Sequence, residues 1–285
     1  MAITTETASA VIQSEMSDKF LREALESFGV AANVTTIVQT TSDSVSFPKI
    51  VSASDAAWTG EGEAFTNHNI EFDQVEVTPK KVGAISTVTN ETLADVQAGG
   101  GMASMLVDSL TRKIVAAIDA AMFSTVAGAP DGLESLTEAN EINAGAAFDS
   151  IDPFIAATYA AQGRNAELTA FVAHPDDALA LAQIKRADGS REPLLLSSAV
   201  DGKLVTTVNG TPLLTSTYVT PGTVWGMPKD RVYLVTRAGT EIKTSEDALF
   251  ASDQSMLRAR SRVGLAFLDQ PSVQKIQLDG GAEGE

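Results

Sequence analysis

Met102-Ala103-Ser104-Met105-Leu106-Val107-Asp108-Ser109-Leu110-Thr111-Arg112-Lys113-Ile114-Val115-Ala116-Ala117-Ile118-Asp119-Ala120-Ala121-Met122-Phe123-Ser124-Thr125-Val126 is the stretch that decides the fold. Met102, Met105, Leu106, Leu110, Ile114, Ala117, Ile118, Ala121, Met122 and Val126 recur at helical spacing and draw one apolar stripe along its length. At the α-helical rise, about 25 residues span on the order of 37 Å. Gly128 to Gly132, with Pro130 among them, supplies the stop. Upstream, Glu91 to Ala98 reads as a shorter helical piece, and Gly99-Gly100-Gly101 as a hinge between the two. That glycine run is not a phosphate loop, because no lysine follows it until Lys113.

Toward the N-terminus the period changes from helix to strand. Residues 34 to 88 read as β structure: Val45 and Phe47, then Ile70 to Val77, alternate apolar and polar, with a parity slip at Asp73-Gln74 that predicts a bulge. Between them Ser54 to Asn69 is rich in Gly, Glu, Thr and Asn, and contains Trp58, Glu61, Glu63 and Phe65. The whole predicts a long hairpin with a polar tip. Isolated hairpins are marginal in water, so this one is expected to lie on another surface. Still earlier, Met16, Phe20, Leu21, Ala24, Leu25 and Phe28 form the stripe of a short helix, opened by Ser17 and closed by Gly29. Such an arm has little local core beside it, and is expected to dock on a neighbouring chain.

Toward the C-terminus helices and strands mix. Asp152-Pro153 opens a helix through Gln162, Leu168 to Ala173 reads as a buried strand, and Pro175 to Lys185 as a helix. Turn signals stand at Asp201-Gly202, Asn209-Gly210 and Pro221-Gly222. Val232 to Thr236 is expected to pair with Glu241 to Thr244 across Arg237-Ala238-Gly239-Thr240. Asp253 to Asp269 has strand periodicity over an unusual length. Leu257, Ala259, Val263, Leu265 and Phe267 share one face, and Met256, Arg258, Arg260, Arg262 and Gly264 share the other. Three guanidinium groups in a row repel each other unless carboxylates lie opposite, so the row predicts ion pairing between subunits or domains.

Composition excludes several classes of function. With 44% hydrophobic and 20% charged residues the 285-residue chain is an ordinary globular protein, and no apolar run approaches a membrane span. The polar, Thr-rich start is no secretory signal, so no membrane partner is expected. The absence of cysteine removes disulfides and thiolate chemistry. A net charge of −17 argues against wrapping nucleic acid. The sharpest local motif, His174-Pro175-Asp176-Asp177, resembles that of zinc-dependent deacetylases of the PIG-L type, where the first His and second Asp hold the metal. That family needs a further imidazole, and here the only other histidine is the upstream His68. The plainer reading is a helix start with acids in the first turn. There is no Gly-x-Ser-x-Gly elbow, so neither catalysis nor a cofactor is expected.

The order of parts resembles the major capsid proteins of tailed bacteriophages with the HK97-type fold, over nearly the whole chain. The carrying segments are Trp58-Thr59-Gly60-Glu61-Gly62-Glu63, Val75-Glu76-Val77-Thr78-Pro79-Lys80-Lys81, Ile118-Asp119-Ala120-Ala121, Gly128-Ala129-Pro130-Asp131-Gly132, Phe171-Val172-Ala173-His174-Pro175, Lys185 to Ser190, Asn209 to Ser216 and Arg258 to Gly264. The resemblance implies an α+β fold with an N-terminal arm (1–44), an extended hairpin loop (45–85), a peripheral domain carrying the spine helix (86–134 and 236–285) and an inserted axial domain (135–235). It implies a non-enzymatic subunit of an icosahedral virion shell that forms hexamers and pentamers, encloses double-stranded DNA and is assembled in the bacterial cytoplasm. Scaffolding, portal and decoration proteins are the partners it adds. Because the chain starts at Met1 with a short arm, a separate scaffold or none is expected. The tip from Ser54 to Ile70 holds no lysine, so the isopeptide cross-link of some members is not carried over. The candidate contacts between subunits are Phe20, Leu21, Leu25, Phe28, Trp58, Glu61, Glu63, Phe65, Arg258, Arg260 and Arg262. An encapsulin shell on the same fold is the alternative, with Asp18 to Phe28 imitating its cargo-binding helix.

Overall fold

A computed structural model describes residues 24–25, 27, 29–52, 58, 62, 71–91, 102–186, 192–200 and 203–279. The predicted long helix is α2 (Met102–Phe123), preceded in the chain by a five-residue helix α1 (Val30–Val34). The stripe read from spacing is the buried one from Leu110 onward: Leu110, Ile114, Ile118, Ala121 and Met122 are inaccessible, joined by Val115 and Phe123. Ala117 and Val126 fall outside it and are exposed. The hinge at Gly99 to Gly101 lies outside the described residues.

Two sheets flank the core. The first has the order β1 (Thr36–Thr40), β11 (Val232–Leu249), β12 (Gln254–Phe267), β4 (Lys80–Thr89). The second is seven-stranded: β5 (Asn140–Asn143), β13 (Gln274–Gln277), β10 (Thr223–Met227), β6 (Ala170–Ala173), β9 (Thr211–Thr215), β8 (Lys203–Val208), β7 (Leu196–Val200). One cluster joins α2 to both: Leu110, Ile114 and Met122 pack with Leu257, Val263 and Leu265 of β12, and with Trp225 and Met227 of β10. On the opposite face of the second sheet, helices α3 (Asp152–Gln162) and α4 (Pro175–Gln183) cover Phe154, Phe171, Leu181, Val224 and Ile276. Phe154 and Phe171 meet edge to face at 5.2 Å. A separate two-stranded ribbon, β2 (Val45–Ser52) with β3 (Glu71–Val77), emerges from the first sheet.

Two expectations are corrected. Val232 to Thr236 and Glu241 to Thr244 do not pair with each other; they belong to one strand, β11, which runs antiparallel to β12 with a register shift between Arg237 and Glu241. The long β12 supplies partners on both sides of that irregularity, so Arg237 to Thr240 bulges where an isolated sequence would turn. The ribbon's own irregularity lies between Ile50 and Ser52, not at Asp73-Gln74, because Val45 to Ile50 pair without interruption with Val77 to Phe72. Ala24 and Leu25 are buried in the main core, and β1 pairs parallel with β11. β13 pairs with β10 and β5 of the second sheet. From Lys80, β4 is the edge strand beside β12.

Candidate functional site

The alternation read in β12 sets up a densely charged sheet face. Leu257, Ala259, Ser261, Val263 and Leu265 point to α2, so Arg258, Arg260 and Arg262 point outward. Register then decides their neighbours, because directly paired residues share a face. Arg258 stands between Lys243 and Ile85, Arg260 between Glu241 and Gly83, and Arg262 between Arg237 and Lys81. Glu241 forms ion pairs with both Arg260 and Lys243. Asp43, from the loop after β1, pairs with Arg237 and lies 4.0 Å from Arg262. Six cations thus share two carboxylates, and neither Arg258 nor Lys81 has an ion-pair partner among the described residues. Exposed pairs of this kind contribute only about 0–1 kcal/mol each. The face is therefore a surface with surplus charge, not a stabilising network.

The same outer face is covered at one end by the ribbon. Val45, Phe47, Val75 and Val77 pack on Tyr233, Val235 and Ala266, and the Phe47 and Tyr233 rings lie 4.9 Å apart. Gly264 makes room for this crossing, since a Cβ there would come within 2.5 Å of Val77 Cγ1. Beyond that base Phe72 is 71% exposed. Of the other predicted contacts, Trp58 is fully exposed. Leu25, by contrast, is buried within its own chain and is no surface residue. Phe20, Leu21, Phe28, Glu61, Glu63 and Phe65 lie outside the described residues. A groove of about 290 Å³, lined by Val82, Ile118, Ala121, Val126, Pro130 and Leu265, runs between β4 and the end of α2.

Asp119 was missed as a functional residue. Its carboxylate, 6% exposed, accepts the N–H groups of Val30 at 3.1 Å and Ala31 at 2.9 Å. Gly29, at the cap of α1, has no side chain to do so. Burial raises the Asp119 pKa above its usual value, and the two hydrogen bonds oppose this without cancelling it. The available signal was an acid set inside the apolar run Ile118 to Ala121.

The His174 motif turns out to be architectural. His174 Nδ1 accepts the Asp176 N–H at 3.3 Å and so caps α4. Asp177 accepts the Gly222 N–H at 2.8 Å, holding the loop before β10; burial is the main cause of its raised pKa. Among the described residues no group of three or more His, Cys, Asp or Glu is placed to hold a metal ion. Changing His174 to Ala should therefore cost about 1 kcal/mol or less, as loss of a helix cap does. Thermal melting would check this, and a loss of zinc-dependent hydrolysis would contradict it.

The family model described as phage capsid family matches residues 8–278. No curated protein matches the chain by sequence. Among solved structures, the capsid of an empty GTA particle is 17% identical with a TM-score of 0.71, covering 91% of this chain and 90% of that one. A structure from Gordonia phage Cozz is 16% identical with a TM-score of 0.69, covering 88% and 87%. One from Mycobacterium phage Adephagia is 13% identical with a TM-score of 0.69, covering 98% and 99%. At these identities the likeness is one of fold.

Proposed function

Because the chain belongs to the phage capsid family, and is thus a major capsid protein, a structural component of the virion, we propose that it assembles as hexamers and pentamers of a closed icosahedral head around double-stranded DNA. The observation that carries this reading is the family match over residues 8–278, joined to a ribbon whose Phe72 is exposed and a sheet face whose Arg258, Arg260 and Arg262 are exposed. Surfaces of that kind are completed by neighbours, and many weak contacts sum to a stable closed particle. In this reading the first sheet with α2 is the peripheral domain, and the second sheet with α3 and α4 is the axial domain. Trp58, Glu61, Glu63 and Phe65 of the ribbon tip, the N-terminal Phe20, Leu21 and Phe28, and the row Arg258, Arg260 and Arg262 form contacts between subunits.

A net charge of −17 fits a container that encloses DNA without gripping it. The subunit needs no cofactor and performs no catalysis. In this reading its partners are portal and decoration proteins, with a separate scaffold or none, and it is assembled in the bacterial cytoplasm. Negative-stain microscopy of the purified protein tests the reading, with closed shells of uniform size as the expected result. Only small soluble species would sink it, and shells filled with protein cargo and no DNA would favour the nanocompartment instead.

A further inference from the structure

Val208 ends β8 and Thr211 opens β9, and the two pair directly, so Asn209 and Gly210 make the whole turn of this hairpin. Both stand at positive φ, 50° and 82°, as a type I′ turn requires. Theirs is the only Asn-Gly step in the chain. Such a step sets an amide side chain beside the one residue type whose backbone nitrogen no Cβ screens. Nothing lies within 4 Å of where a Cβ of Gly210 would stand, and both residues are exposed. The other described asparagines are held. The side-chain amide of Asn33 donates to the Gly29 carbonyl, that of Asn90 to Asp253, that of Asn140 to Gln274 and that of Asn143 to Asp279. Asn165 shares the left-handed backbone, with φ 54°, but the N–H after it, that of buried Ala166, donates to the Ala161 carbonyl at 3.0 Å. Asn209 differs on both counts: neither its side-chain amide nor the Gly210 N–H has a hydrogen-bond partner among the described residues. The left-handed region is also the less favoured one for a residue with a Cβ, so Asn209 can leave it without breaking a bond of its own side chain.

We propose that Asn209 is a site of self-modification, at which the Gly210 backbone nitrogen displaces the side-chain amide and water completes a deamidation. The nitrogen attacks Cγ of Asn209; the new N–Cγ bond closes a cyclic imide as the Cγ–Nδ2 bond breaks. Ammonia departs, carrying the proton that the Gly210 nitrogen bore. Water then opens the ring, at Cγ to give aspartate or at the backbone carbonyl to give isoaspartate. Nothing is oxidised or reduced, and water is the sole co-reactant. This is the chemistry that makes asparagine a thermolabile residue. Each event adds one negative charge, and the isoaspartate form also inserts a carbon into the backbone of a two-residue loop. The loop then no longer matches the Val208–Thr211 pair that it joins. Val208 is fully buried in the core under α3 and α4, and β9 pairs onward with β6. The hairpin therefore carries an irreversible chemical timer at its tip, and its firing loosens β8 from β9.

The test is peptide mapping by mass spectrometry of the folded full chain, held in mildly alkaline buffer at physiological temperature and sampled over time. Asn209 should gain about one mass unit at least about tenfold faster than Asn143 or Asn165, whose hydrogen bonds must first open. Gly210→Ala should slow the conversion by about tenfold or more, because its Cβ screens the attacking nitrogen. Asn209→Asp carries the new charge without the extra carbon. Amide exchange at Leu213 and Leu214 that quickens in the aged wild type, but not in this variant, marks the isoaspartate form. Conversion that begins at Asn143 or Asn165 would overturn the proposal, as would a Gly210→Ala chain that converts as fast as the wild type. A comparison free of substitutions guards against a disturbed hairpin: the wild-type chain unfolded in urea is aged beside the folded one. If Asn209 stays intact in the folded protein while the unfolded chain converts, the turn is a shield and the site does not exist.

Discussion

Replacing Gly132 by alanine is expected to destabilise the subunit by about 3 kcal/mol, the upper end of what overpacking costs when no side chain can move aside. A Cβ at this position would lie 2.1 Å from the carbonyl oxygen of Ala121 and 2.7 Å from that of Met122. Both obstacles are backbone atoms in the last turn of α2, so no rotamer change relieves them. The chain must shift either the helix end or the connection to Leu133, which is fully buried against the main core. This connection carries the chain from α2 toward the first strand of the second sheet, so a shift here changes how the two sheets meet across the shared core. For a chain of this length a loss of that size lowers Tm by about 5 °C. Denaturant unfolding of the variant measures it directly. A change under about 0.5 kcal/mol would mean that the loop at 128–132 yields freely.

The parts of the fold legible in the sequence were those whose period is local. The α2 stripe from Leu110 to Met122 and the alternation of β12 each follow from one element burying one face, and each was read with its partners unknown. What failed depended on residues far away in sequence. Arg237-Ala238-Gly239-Thr240 has turn chemistry, yet it bulges within one strand because β12, a strand still to come, offers partners on both sides of it. The N-terminal stripe correctly marked Leu25 as apolar, but its cover is α2: Gly29 lies against Val115, and Val30 and Ala31 bond to Asp119. Separations of 88 and 89 residues leave no trace in a local pattern, so the anchoring of Val30 and Ala31 on α2 is not legible there.

The surface chemistry divides in the same way. Arg258, Arg260 and Arg262 were visible as a row, because two-residue spacing puts them on one face. Their setting was not, since Lys81, Arg237, Lys243 and Glu241 come to them only through the registers of β4 and β11. That register turns a row awaiting carboxylates into a face with a surplus of positive charge. Conversely, His174 with Asp176 and Asp177 was fully legible as a helix start, because a cap involves only the few residues around it.

Asp119 should be the point at which the subunit's hold on its N-terminal segment is most easily broken. Changing it to alanine leaves the Val30 and Ala31 N–H groups without an acceptor at a site that is 6% exposed or less for Asp119 and Ala31. Each unpaired buried donor costs about 1–3 kcal/mol, and removing a buried charge returns part of that, so a net loss of about 2 kcal/mol is expected at neutral pH. The loss should be concentrated in α1. Amide exchange at Val30 and Ala31 should quicken by about tenfold or more, while the second sheet stays protected. The pH dependence has a definite sign. Because burial raises the folded-state pKa of Asp119 above its value in the unfolded chain, the folded protein binds this proton more tightly. Its contribution is therefore fullest below the unfolded value of 3.8 and is lost as pH rises through the raised folded value. An ordinary surface-paired aspartate would do the reverse. Unfolding measured against pH for the wild type and for Asp119→Asn isolates the effect: the wild type should gain stability relative to the variant on acidification through that window. A wild type that loses stability relative to Asp119→Asn over the same window would show that the carboxylate's two hydrogen bonds, not its burial, govern the hold on α1.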